Sequence, residues 1–236
     1  MCDVCGCGDP SLGAKTVTLD VHESLLRDND REASHLREHF AAHGVLALNV
    51  MGSPGSGKTA LLEAAARALA GRLHLAAVSG DLATSLDAER LARAGVTSAP
   101  ITTGSACHLD ASMVHHALHD GPMAEAAATS DVFFIENVGN LVCPAIYDLG
   151  QRANVVVLSV TEGVDKPLKY PVMFRKADLV VISKMDLLPH LPDVSLGVMQ
   201  ENVARVMPSA HTIALSATTG EGVNEFIAWL EEKRRR

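Results

Sequence analysis

With 236 residues the chain has room for one sizeable α/β domain and little more, and 47% apolar residues exclude a disordered chain. Aromatics at 3% argue against a base-stacking platform, and a formal charge of −8 repels phosphate backbones, so nucleic acid is not an expected partner. No segment approaches the roughly 20 apolar residues that span a bilayer, and Met1-Cys2-Asp3-Val4-Cys5 lacks the basic and apolar regions of a secretory signal, so a cytoplasmic location and no membrane contact are expected.

In chain order, residues 1–20 read as a loose arm without apolar periodicity. Residues 21–236 read as a single domain. It opens with a helix over 21–43 whose apolar positions are Val21, Leu25, Leu26, Leu36 and Phe40, and which ends at His43-Gly44. Strands and helices then alternate. A strand over 45–50 is followed by a helix over 60–70 that stops at Gly71. A strand over 73–78 precedes a helix over 85–93. Residues 132–135, 155–158 and 179–182 are continuous apolar runs, as expected for strands buried on both faces. A strand over 212–215 and a closing helix over 224–233 complete the set, the cationic residues 233–236 suiting the negative end of that helix. This alternation predicts an α/β fold with a mostly parallel sheet covered by helices on both faces.

Gly52-Ser53-Pro54-Gly55-Ser56-Gly57-Lys58-Thr59 matches G-x-x-x-x-G-K-[ST], with an apolar strand before it and a helix after it. Glycines let the backbone wrap phosphate and point N–H groups inward. The new helix brings its positive end to the same place. Lys58 is expected to reach the β- and γ-phosphates, and the Thr59 hydroxyl to bind Mg²⁺.

The strand over 179–182 runs into Ser183-Lys184-Met185-Asp186, which resembles the N-K-x-D motif of GTPases with Ser in place of Asn. A carboxylate here accepts from guanine N1–H and the 2-amino group. Adenine lacks that donor pair, so Asp186 is the expected specificity residue. Lys184 would lie along the base plane. Ser216-Ala217-Thr218-Thr219-Gly220 resembles the S-A-x-x-G loop of GTPases that meets the guanine carbonyl through backbone N–H.

In a parallel sheet the carboxyl ends of the strands converge on one crevice. Asp81 and Glu136 sit at two such ends. Glu136 stands where a Walker B aspartate is usual, and Gly139 is a candidate γ-phosphate sensor. Asp81 is a candidate to hold Mg²⁺ through water or to orient the attacking water.

The chain has five cysteines: Cys2, Cys5, Cys7, Cys107 and Cys143. An odd number in a reducing compartment points to metal or thiolate chemistry over a disulfide framework. Cys107-His108 is read as the start of a helix, and Cys143 follows Glu136 in the switch position. Two thiolates and an imidazole suit Zn²⁺ or Ni²⁺. Two-fold symmetry would close such a site across a dimer. Cys2, Cys5 and Cys7 are too few for a closed four-cysteine zinc knuckle. With a fourth donor such as the N-terminal amine they can hold one ion in the planar arrangement that Ni²⁺ accepts. His35, His39 and His43 share a helix face at i, i+4 spacing and form a conceivable auxiliary metal face; a solvated face is the reading adopted for them and for His115, His116 and His119.

Together these motifs resemble the HypB family of hydrogenase nickel-incorporation GTPases, relatives of the urease accessory GTPase. The resemblance extends over essentially the whole chain. It is carried by Cys2-Asp3-Val4-Cys5-Gly6-Cys7, the phosphate loop, Gly80-Asp81-Leu82-Ala83-Thr84-Ser85-Leu86-Asp87-Ala88 and Cys107-His108-Leu109. Glu136-Asn137-Val138-Gly139-Asn140-Leu141-Val142-Cys143-Pro144 and Asp165-Lys166-Pro167-Leu168-Lys169-Tyr170-Pro171 extend it. The resemblance implies a SIMIBI-type P-loop fold, GTP hydrolysis with Mg²⁺, and nickel delivery to the large subunit of [NiFe]-hydrogenase. It further implies a homodimer on GTP binding and a small nickel- and zinc-binding chaperone, HypA, as partner. In the family the N-terminal cysteine motif is a nickel site in some members, and the Cys-His pair with the later Cys forms an interface site for nickel or zinc. Some relatives carry a long His-rich storage stretch after that motif. This chain does not, so bulk nickel storage is not expected. The rival readings are a metal-insertion GTPase serving urease or a cobalamin enzyme, a nickel-sequestering protein with weak GTPase activity, and a small-molecule kinase.

Overall fold

The computed structural model describes residues 15–119, 122–209 and 211–235. Cys2, Cys5 and Cys7, with most of the arm read over 1–20, lie outside the described residues. The leading helix α1 spans Lys15–Ala42, so it begins within the stretch read as an arm. That stretch has no apolar stripe, and helix starts are poorly marked without one.

The chain then alternates β1 (Leu46–Gly52), α2 (Lys58–Leu69), β2 (Leu75–Asp81), α3 (Leu86–Arg93) and β3 (Thr97–Thr102). Next come α4 (Ala111–His119), α5 (Pro122–Thr129), β4 (Val132–Glu136) and β5 (Ala153–Ser159). The short helices α6 (Lys166–Lys169) and α7 (Pro171–Arg175) lead to β6 (Leu179–Ser183), α8 (Leu196–Val206), β7 (His211–Ala214) and α9 (Val223–Arg235). The seven strands form one sheet in the order β3-β2-β4-β1-β5-β6-β7. Every pairing is parallel.

Side chains alternate across a strand, and the core divides accordingly. Leu46, Leu48 and Val50 of β1 pack with Leu61 and Leu62 of α2 and with Phe226 and Leu230 of α9. Ala47 and Phe133 face the other way, against Leu36 and Phe40 of α1 and Val114 and Leu118 of α4. A third cluster sets Val156, Leu158, Val180 and Ile182 against Met173, Phe174, Met199 and Val203. Strands β1, β4 and β6 are buried along their whole length, and burial on both faces is why residues 132–135 and 179–182 read as unbroken apolar runs. Helix α1 is fixed by Asn29, whose amide donates to the Asp148 carbonyl at 2.9 Å and whose oxygen accepts from the first amide of α4, Ala111 N, at 2.9 Å. No helix among the described residues is long and apolar enough to cross a membrane.

Candidate functional site

The phosphate loop leaves β1 at the centre of the sheet and closes into α2. Gly52 can carry no side chain, because a Cβ would lie 2.4 Å from the Val157 carbonyl oxygen. Gly57 caps α2 in the left-handed region, with φ 97°. Within the loop, Lys58 is buried and its ammonium donates to the Gly52 and Ser53 carbonyls at 3.3 and 3.2 Å. The Ser56 hydroxyl oxygen is buried with no hydrogen-bond partner among the described residues. A buried cation held only by its own loop carbonyls, beside an unsatisfied hydroxyl, fits a cradle shaped for an anion.

Directly beneath, Thr59 Oγ1 donates to Glu136 Oε1 at 2.6 Å, and Ser79 Oγ to Glu136 Oε2 at 3.1 Å. Glu136 is 2% exposed. Burial pushes its carboxyl above the ordinary range, against the opposing pull of the Thr59 hydroxyl. Burial likewise pulls the Lys58 ammonium down, with the Glu136 charge working the other way. Hydroxyl and carboxylate oxygens in this arrangement are the hard donor set that Mg²⁺ prefers.

A cavity of about 450 Å³ opens here. It is lined by the phosphate loop, by residues 80–82, by residues 136–139, and by Asp87 and Arg90. Asp81 lies on its wall, with its Oδ1 accepting from the amides of Ala83 and Thr84 at 2.9 and 2.8 Å. Those two amides hold the Asp81 carboxyl below its ordinary value. Arg90, which no sequence motif marks, is fixed by Glu63 at 2.8 Å and Asp87 at 3.2 Å.

Gly139 is a close-approach glycine: a Cβ there would lie 2.8 Å from the Pro54 backbone. The loop following β4 therefore touches the phosphate loop directly. Next to it, Asn140 N donates to the Gly52 carbonyl at 3.1 Å, and Asn140 Nδ2 to the Cys107 carbonyl at 3.3 Å. Asn137 Oδ1 accepts from Leu109 N at 3.1 Å. Neither asparagine carries a motif of its own outside the family stretch.

On the other flank of the loop, Ser183 Oγ donates to the Ser56 carbonyl and Lys184 Nζ to the Gly55 carbonyl, both at 2.6 Å. Lys184 is left-handed, with φ 60°, the one such non-glycine among the described residues. Asp186 Oδ1 accepts from Ser216 Oγ at 2.5 Å. The Ser216 hydroxyl in turn accepts from Thr219 N at 3.1 Å, and the Ala217 carbonyl from Arg67 at 3.3 Å. Ser183, Lys184, Asp186, Ser216 and Ala217 thus gather beside the phosphate loop, and Ser183 ties their loop to it.

Cys107 and Cys143 meet with their sulfurs 3.2 Å apart, and His108 Nδ1 lies 3.9 Å from the Cys107 sulfur. The three ligand atoms all lie within 4.8 Å of one another, a set that one metal ion can bridge. His108 is stacked on Tyr147, with ring centroids 4.1 Å apart, and burial lowers its pKa, favouring the neutral form that binds metal. Cys107-His108 is not the start of a helix. The pair lies in a bend, and α4 begins at Ala111, where Asp110 Oδ1 accepts from Met113 N at 2.7 Å. The aspartate is the preferred cap, so the helix starts after it.

A strand, a wrapped loop and a helix built in this way hold a chain of phosphates, and the class they define is the P-loop nucleoside triphosphatase with a SIMIBI-type fold, an architecture that supports nucleotide hydrolysis. A family model described as CobW/HypB/UreG, nucleotide-binding domain, matches residues 46–214. The hydrogenase maturation factor HypB of Rhizobium leguminosarum bv. viciae is 48% identical over 228 residues, which is 97% of this chain and 74% of that protein. Among solved structures, HypB from Helicobacter pylori in complex with nickel has a TM-score of 0.83 at 42% identity, covering 88% of this chain and 95% of that one. HypB from Archaeoglobus fulgidus gives 0.80 at 38% identity, covering 89% and 100%. The chain belongs to the CobW/HypB/UreG family and, within it, to the HypB hydrogenase maturation factors.

The buried carboxylate gives a test by pH. A carboxyl whose folded pKa lies above its unfolded value costs stability as pH rises from the unfolded pKa through the folded one, and costs nothing below both. Replacing Glu136 with Gln is therefore expected to raise the melting temperature of the nucleotide-free chain at neutral pH. The advantage should shrink as pH falls toward 4, the ordinary carboxylate range. Thermal melts of parent and variant across pH, without Mg²⁺, check this; a gap that widens on acidification would refute it.

Proposed function

We propose that this chain is a Mg²⁺-dependent GTPase that carries nickel toward the large subunit of [NiFe]-hydrogenase during maturation. The single observation that carries this reading is the physical link between two sites. The segment from Glu136 to Cys143 starts at the Thr59 contact, touches the phosphate loop at Gly139 and Asn140, and ends in the thiolate cluster.

The roles follow from position. The amides of the loop from Gly52 to Thr59, including Ser53, Gly55, Ser56 and Gly57, face the phosphates, and Lys58 neutralises their charge. Thr59 and Glu136 are the residues that would hold Mg²⁺, which supplies charge neutralisation at the phosphate oxygens when bound. Asp81, kept ionised by two amides, orients the attacking water. Gly139 senses the γ-phosphate, since nothing larger fits against Pro54. Asp186 selects guanine, oriented by the Ser216 hydroxyl, while Lys184 and the amide of Ala217 complete the base site.

Nickel is cargo here. Cys107, His108 and Cys143 offer it soft and borderline donors, with zinc the competing ion. Three ligands from one chain leave positions for a second. Leu82, Leu86, Val142 and Ile146 are exposed large apolar side chains around the cavity and the thiolates, which supports a face that meets another copy when GTP is bound. Cys2, Cys5 and Cys7 form a separate nickel site by their spacing alone. A small chaperone of the HypA type is the proposed exchange partner, and the cytoplasm the proposed location.

Two outcomes are expected. Asp186→Ala should erase the preference for GTP over ATP, by about 100-fold or more in kcat/KM ratio, because the buried donor-pair partner is gone; steady-state turnover with each nucleotide measures it, and an unchanged ratio would overturn the guanine assignment. In a chain with Cys2, Cys5 and Cys7 replaced by Ser, nickel affinity should differ between GDP and a non-hydrolysable GTP analogue, since coupling between sites is reciprocal. Competition titration reads that difference, and adding Cys107→Ala with Cys143→Ala should abolish the binding. Equal affinities in both nucleotide states would sink the coupling.

A further inference from the structure

His35 and His39 of α1, His43 just past its end, and His115, His116 and His119 of α4 lie on one face of the sheet, and none belongs to the sites above. Packing sorts them. His43 Nδ1 bonds back to the His39 carbonyl at 2.8 Å, and His116 Nδ1 to the Ser112 carbonyl at 2.7 Å. Both are thereby turned onto their own helix backbone. The other four, His35 and His39 of α1 with His115 and His119 of α4, line one cavity of about 120 Å³ floored by Leu36 and Leu118. His39 also lies against His43, with ring centroids 4.5 Å apart, while the cavity joins His35 and His39 to two histidines of α4.

Each pair stands at i, i+4, one turn apart on one helix face, so each helix presents two imidazoles side by side. The His115 and His119 ring centroids are 4.5 Å apart. His115 Nδ1 contacts Glu32 Oε2 at 2.7 Å. A ring that donates from Nδ1 to a carboxylate carries its lone pair on Nε2 and is held in orientation, the usual support of a metal-binding imidazole. His39 Nε2 is buried and makes no hydrogen bond of ordinary geometry among the described residues, its polar neighbour being the Ala127 backbone. The two helices are not free to drift apart, because Asn29 joins α1 to the first amide of α4.

We propose that the cavity between α1 and α4 is a metal site in its own right, taking one Ni²⁺ or Zn²⁺ through the imidazoles of His35, His39, His115 and His119, with Glu32 positioning His115. Burial, then the His43 imidazole, lower the His39 pKa against the opposing pull of the Ala127 backbone, and the neutral ring is the form that ligates. Four nitrogen donors around a small space suit these borderline ions and not Mg²⁺. The four rings surround the cavity without converging on a point; His35 and His119 are exposed, and loading requires their side chains to turn inward. The site is independent of the thiolate cluster and of the nucleotide reading.

The test uses the full chain with Cys2, Cys5, Cys7, Cys107 and Cys143 all replaced by Ser, titrated with Ni²⁺ alone and with Zn²⁺ alone. Equilibrium dialysis should find one ion per chain for at least one of the metals, without thiolate-to-metal charge-transfer absorption. NMR should show shifts of the four imidazoles on loading. His39→Gln with His119→Gln should remove that ion while leaving the circular dichroism melt of the metal-free chain unchanged. Should the cysteine-free chain fail to fold, the same histidine pair replaced in the parent chain should lower the bound Zn²⁺ by one per chain. No ion in the cysteine-free chain, binding that is weak and not stoichiometric, or binding indifferent to the histidine substitutions would each overturn the site.

Discussion

The hydroxyl of Thr59 against the buried carboxylate of Glu136 is the contact on which the rest of the site depends. It joins the first turn of α2 to the end of β4, across a sheet position where β1 and β4 run side by side with Val50 opposite Glu136. A carboxylate this deeply buried is tolerated only when its oxygens are satisfied. Thr59 and Ser79 do this together, one from the helix and one from β2. Three elements are thereby locked at one point before any ligand arrives, and the shape of the phosphate loop is set by that point.

The same contact fixes where the following segment begins. From Glu136 the chain passes under the loop at Gly139, hydrogen-bonds the Gly52 carbonyl through Asn140, and reaches Cys143 in a short turn with Pro144 next to it. Asn137 and Asn140 each also reach the segment around Cys107 and Leu109. Gly139 and the two sulfurs are therefore joined by hydrogen bonds and close packing rather than by a flexible tether. Packed interiors transmit small shifts because they cannot absorb them.

Much of this was legible from the chain itself, and the exceptions have physical reasons. The buried strands announce themselves as apolar runs, and the loop motif between β1 and α2 places the phosphate site. Strand β3 was not readable: it is an edge strand with Pro100 in its middle and Ile101 as its single buried residue, so neither alternation nor an apolar run marks it. Helices α5 and α8 were missed as well and α4 was started too early, though α4 and α8 carry the expected caps, Asp110 and Ser195. Their apolar positions are few and interrupted by histidine or by small residues, which weakens the 3.6-residue period. Cys107 and Cys143 could be grouped from the histidine next to the first and the switch position of the second, not from strand ends, because the strand before Cys107 is the unread β3. The histidine set could not, since it depends on how α1 docks on α4, and no local spacing encodes that. Ser183, a departure from the GTPase motif on paper, proves in place to bond the phosphate loop directly.

The arrangement also separates two kinds of donor. Around the phosphates the side chains offered are hydroxyl and carboxylate oxygens, Thr59, Glu136 and Asp81, which favour a small hard cation. A few residues along the same segment the donors change to sulfur and imidazole, which favour nickel or zinc. The thiolate and imidazole set is a poor match for Mg²⁺, so the two positions differ in the ion their donors prefer. The backbone between them, residues 137–142, contributes no ligand of either kind; its amides and asparagine side chains are spent on holding the two sites in fixed relation. On the function proposed above, this division matters, because affinity alone would let the more strongly bound metal occupy both sites.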